Sequence, residues 1–69
     1  MKVQKATPEE VEEWRAEAEA QGVEWMFVIH DVLLDEDYPA FYVDAYVARY
    51  AREYLEKRTD KSIVAEVRV

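Results

Sequence analysis

Cysteine is absent from this 69-residue sequence, which has one glycine, one histidine, one serine and two prolines. Without thiols, neither a disulfide framework nor a thiolate zinc site can form. A single glycine excludes a Gly-rich phosphate cradle. One His, one Ser and two Thr leave no Ser-His-Asp or Cys-His set for nucleophilic catalysis. Long apolar runs are missing too. The longest uncharged stretches, 25–30 and 38–43, fall far short of the ~20 residues that span a bilayer. The N-terminus has no apolar signal segment, and neither end has a lipidation motif. These absences point to a soluble, cytoplasmic protein, in the host cytoplasm if the source is viral.

Basic charge is also scarce: 16 acidic side chains face 9 basic ones, for a net charge of −7. Such a chain repels phosphate and anionic lipid, so neither nucleic acid nor membrane is an expected direct partner. Apolar content of 51% is too high for a disordered acidic tail. The length allows one domain with a small core and no large enzyme cleft beside it.

Local signals outline the elements. Thr7-Pro8-Glu9-Glu10 reads as a helix start, with a Thr7–Glu10 capping box, Pro at the first helical position and carboxylates at the positive dipole end. The helix should run to about 21 and stop at Gly22, the chain's one candidate for a left-handed cap. Its apolar stripe is Val11, Trp14 and Ala18, widened by Ala16 and Ala20. Residues 23–30 alternate with period two: Val23, Trp25, Phe27 and Ile29 face one way, Glu24, Met26, Val28 and His30 the other. Residues 31–37 read as a hairpin connection or bulged loop.

The 38–43 segment is aromatic and β-branched, which favours a strand followed by Asp44 as an N-cap. The competing reading starts one long helix at Tyr38. From Asp44, a helical stripe of Val47, Tyr50, Ala51, Tyr54 and Leu55 is expected to meet the sheet, with tyrosine hydroxyls reaching its rim. Residues 63–69 form a last strand with Ile63, Ala65 and Val67 inward. Residues 2–6 are a weak candidate for a first strand, since only Val3 and Ala6 would be buried.

The order predicts an α+β, ferredoxin-like β-α-β-β-α-β two-layer sandwich. The alternatives are a three-stranded sheet with two helices on one face, and a β-α-β-α-β chain with a long second helix. Inward residues would be Trp25, Phe27, Ile29, Phe41, Val43, Ile63, Ala65 and Val67. The other sheet face would then lie open, showing Met26, Val28, His30, Ala40, Tyr42 and Val64. An apolar patch of that kind marks an interface, most simply with a second copy of the chain.

Charge supplies a second surface. Residues 1–37 hold 11 acids and 3 bases, whereas 38–69 hold 5 acids and 6 bases. Glu9, Glu13 and Glu17 with Asp35, Glu36 and Asp37 form an acidic face suited to a basic groove on a protein, as in inhibitors that imitate nucleic acid. The acidic loop lacks the spacing and the turn glycine of a calcium loop, so no metal is expected. No cofactor, small-molecule substrate or catalytic residue is indicated. The expected function is a non-enzymatic protein-interaction module that self-associates through the sheet face. An acidic antagonist of viral or phage type is the second reading. A designed protein without biological function is the third, suggested by the Thr-Pro-Glu-Glu start and scarce glycine.

Overall fold

The computed structural model describes residues 5–69, which form α1 (Pro8–Ala20), β1 (Trp25–Asp31), β2 (Glu36–Tyr42), α2 (Ala45–Glu56) and β3 (Lys61–Arg68). The architecture is α+β with two helices and a three-stranded antiparallel sheet in the order β2-β1-β3. The ferredoxin-like order is not found, because α1 precedes every described strand. The expected strand at 2–6 lies largely outside the described residues, and Lys5 and Ala6 are not in a strand.

Capping residues set the element ends. The Thr7 hydroxyl accepts the Glu10 N–H at 3.2 Å, and Glu10 accepts the Thr7 N–H at 3.3 Å, which completes the capping box. At the far end, Gly22 and Val23 N–H groups bond back to Glu19 and Ala18 carbonyls, a Schellman closure. Gly22 holds φ +76°, a conformation that a Cβ disfavours. Asp44 caps α2 by accepting the Val47 N–H at 2.9 Å, so 36–42 is strand and no long helix forms.

The helices lie on opposite faces of the sheet. On one face Met26 and Val28 pack with Ala18, Val11 and Trp14 of α1. On the other, Phe27 and Ile29 pack with Ala48, Ala51 and Leu55 of α2. The expected open face therefore does not exist: Met26 and Val28 are completely buried beneath α1. A two-layer sandwich would leave one face bare, whereas here each face of the sheet has its own helix.

Two register details rearrange the rest. The four-residue turn 32–35 pairs residues of opposite parity, such as Phe27 with Ala40 and Met26 with Phe41. Ala40 and Tyr42 thus join the α2 face, and Phe41 the α1 face, reversing their expected sides. Tyr42 meets Phe27 with ring centres 4.7 Å apart. In β3, Val28 pairs with Ala65 but Ile29 with Ile63, a bulge that leaves Val64 unpaired. Ile63 packs on the α2 side while Val64, Ala65 and Val67 pack on the α1 side. A strand expected to keep one inward row divides its side chains between two cores.

Candidate functional site

α2 has two apolar stripes, and only one of them is used by the fold. At about 100° per residue, Ala48, Ala51 and Leu55 share one side of the helix. Ala48 and Leu55 are buried there. Alanine lets the helix backbone sit close to β1, which a tyrosine row would not allow. The opposite side holds Tyr46, Tyr50 and Tyr54, exposed by 65%, 58% and 60%, with Val47 beside them and Val43 just before the helix. Val47, Tyr50 and Tyr54 were expected against the sheet. They face solvent.

The outer stripe is ordered by its own contacts. Tyr46 and Tyr50 hydroxyls lie 3.1 Å apart, one turn from each other. The Arg58 guanidinium donates to the Tyr54 hydroxyl at 2.7 Å and lies over its ring, 5.6 Å from the centroid. Along one flank, Arg49 and Glu53 pair at 3.7 Å. A hydrogen bond donated by the Tyr50 hydroxyl to Tyr46 is the main reason that the Tyr50 phenol titrates above its ordinary range.

His30, the one imidazole, is placed by the hairpin register directly opposite Asp37. Its Nδ1 lies 2.7 Å from Asp37 Oδ1, and its Nε2 lies 3.4 Å from Asp35 Oδ1. Asp37 also accepts the Lys5 and Ala6 N–H groups at 2.7 and 2.9 Å. Burial works against charge on Asp37, whose side chain is 2% exposed, but the Ala6 N–H, His30 and the Lys5 N–H outweigh it. Its carboxyl therefore sits below the usual carboxylate range. This cluster ties the N-terminal segment to the hairpin. Neither His30 nor Asp37 belongs to an open surface, and Asp37 is not free to join an acidic face.

The hairpin turn is held from within. Asp31 Oδ1 accepts the Leu33 and Leu34 N–H groups at 3.0 and 3.1 Å, and its other oxygen lies 3.3 Å from Lys61 Nζ. The Leu34 N–H is the largest influence lowering the Asp31 pKa. Val32, Leu33 and Leu34 project outward at the tip, with Leu33 81% exposed. Among the described residues, no group of three or more His, Cys, Asp or Glu could hold a metal ion.

Of the remaining expected site residues, Glu9, Glu13, Glu17, Asp35 and Glu36 are exposed. No α1 glutamate makes an ion pair among the described residues, whereas Asp35 pairs with Lys5 at 3.3 Å. A cleft of about 270 Å³ between α2 and β3 is lined by Arg52, Leu55, Arg58, Lys61, Ser62 and Glu66, among others. Its guanidiniums are already engaged, Arg52 with Glu66 and Arg58 with Asp60. Among the described residues, no helix is long and apolar enough to cross a membrane. No family model, curated protein or solved structure matches the chain.

Proposed function

We propose that this chain is a non-enzymatic protein-interaction module whose binding face is the outer side of α2. The observation that carries the reading is the second apolar stripe of α2, on the side turned away from the sheet. A helix that is apolar on both sides is normally covered on both. Tyrosine suits such a face, combining a large contact area with few rotamers to immobilise. The surface expected on the sheet is thus relocated to a helix, with its role unchanged.

The acidic antagonist remains the second reading, supported by the exposed carboxylates of Glu9, Glu13 and Glu17, none of which makes an ion pair among the described residues. Site-specific photo-crosslinking in expressing cells separates the two. p-Benzoylphenylalanine at position 50 should give protein adducts that the same group at position 13 does not. Adducts from position 13 alone would favour the acidic face, and adducts from neither position would end both readings.

A further inference from the structure

We infer that the occupant of the α2 outer face is a second copy of this chain, docked as an antiparallel helix pair about a two-fold axis beside Tyr50. This rests on the reading of that face as the binding surface and adds the identity of the partner. Three observations lead to it.

The first is charge complementarity. Arg49 and Glu53 occupy one flank of the aromatic stripe, a turn apart. When two identical helices run antiparallel, the same flank of each meets with its order reversed. Arg49 of one copy then lies within about 3 Å, along the helices, of the level of Glu53 of the other, and the exchange is reciprocal. An isologous interface requires such a self-complementary arrangement. The two intrahelical pairs, one in each copy, are exchanged for two intermolecular ones across the axis, while the two Glu53 carboxylates lie about 9 Å apart along the helices.

The second is where a chain of net charge −7 can approach its own copy. α1 presents Glu9, Glu12, Glu13, Glu17 and Glu19 to solvent, so two copies repel along that side. The hairpin adds Asp35 and Glu36. The α2 side differs, because Asp44, Glu53 and Glu56, with the Asp60 and Glu66 that Arg58 and Arg52 engage, are nearly balanced by Arg49, Arg52, Lys57 and Arg58. The apolar stripe therefore lies on the side of the molecule with the least self-repulsion.

The third is the pattern of the stripe. Tyr46, Tyr50 and Tyr54 recur every four residues over a helix of 12 residues. With the axis at Tyr50, the Tyr50 rings of the two copies meet, and Tyr46 of each lies level with Tyr54 of the other. The ends of the stripe are thus filled by its own opposite end. A partner helix of about 18 Å covers its whole length.

The experiment is a concentration series on the purified full chain by sedimentation and light scattering. It includes Tyr50→Glu, Arg49→Glu, Glu53→Arg and the double swap. The wild-type mass should double from that of the 8.2 kDa chain as concentration rises. Tyr50→Glu should weaken association by ~30-fold or more, as a central aromatic anchor does. Each single charge reversal should weaken it by about threefold to tenfold, and the double swap should restore it. Circular dichroism at low concentration confirms that the variants fold, since all three positions are exposed.

A wild-type chain that stays monomeric at millimolar concentration overturns the inference. So does a dimer indifferent to Tyr50→Glu, or a double swap that fails to restore association. A monomer that still crosslinks through position 50 to a different protein overturns the second copy alone and leaves the module reading standing. The absence of any adduct at that position ends both.

Discussion

Tyr46 and Tyr50 meet edge to face on the outer side of α2, with ring centres 5.1 Å apart at 75°. Each ring restricts the other, so part of the side-chain ordering that docking requires is already done in the free chain. The hydrogen bond between their hydroxyls retains the Tyr50 proton. A group whose folded pKa is raised contributes stability in full below its unfolded value. That contribution is lost as pH rises through the folded value. Tyr50 should therefore ionise above the ordinary tyrosine range near pH 10, and Tyr46→Phe should bring it back toward that range. Tyrosinate absorbance on the two proteins checks this.

The two stripes of α2 should respond oppositely to substitution. Ala48 is 1% exposed against β1, so Ala48→Leu should overpack the layer and cost about 1–3 kcal/mol. Tyr50→Ala should change stability by only about 0.5 kcal/mol at concentrations where self-association contributes nothing. Urea unfolding of both variants provides the comparison. A large loss for Tyr50→Ala at high dilution would place the core on the wrong side of the helix.

Asp37 should govern part of the acid stability. Its folded pKa lies below the ordinary value for an aspartate. Its contribution is therefore complete above that value and vanishes as pH falls through the lower folded one. Asp31 and Asp60 are shifted in the same direction and share the acid limb. Asp37→Ala removes the acceptor that His30 Nδ1 and the Lys5 and Ala6 N–H groups share, and should cost about 1–3 kcal/mol at neutral pH. Asp37→Asn should flatten the acid limb without abolishing it. Thermal melts between neutral pH and pH ~3 test both.

Gly22 offers a cleaner conformational test. A Cβ built there meets nothing within 4 Å, so space is not the constraint. Only φ +76° opposes a side chain. Gly22→Ala should lose about 1 kcal/mol, and Gly22→Asn less, because Asn tolerates the left-handed region. Equal losses for the two variants would indicate a contact rather than a dihedral cost.

Local features of the fold were legible in the sequence because their causes are local. The Thr7 box, the Gly22 stop, the Asp44 cap and the alternation of β1 each depend on neighbours a few residues away. The coverage of the sheet was not legible. Nothing near Met26 or Val28 says that α1 will turn back over them, and a one-residue bulge at Val64 redirects β3 without any glycine to announce it. The candidate site was half legible. The tyrosine ridge is visible at every fourth residue, but hydropathy ranks Tyr50 and Leu55 alike as apolar and does not say which stripe faces inward. Side-chain volume was the missing consideration, since Ala48 and Ala51 make the flatter side. His30 opposite Asp37 follows once the four-residue turn is known, and that turn has no distinctive glycine or asparagine to mark it.

β1 has β2 and β3 on its two edges and α1 and α2 on its two faces. None of its four central residues, Met26, Phe27, Val28 and Ile29, is more than 2% exposed. No partial opening that releases a single neighbour leaves them bare. Hydrogen exchange at these four amides should thus proceed only through complete unfolding, making their protection a direct gauge of the chain's global free energy. The gauge separates assembly from folding. If α2 pairs with a second copy, protection at β1 will rise with protein concentration, although no β1 atom lies at the proposed interface.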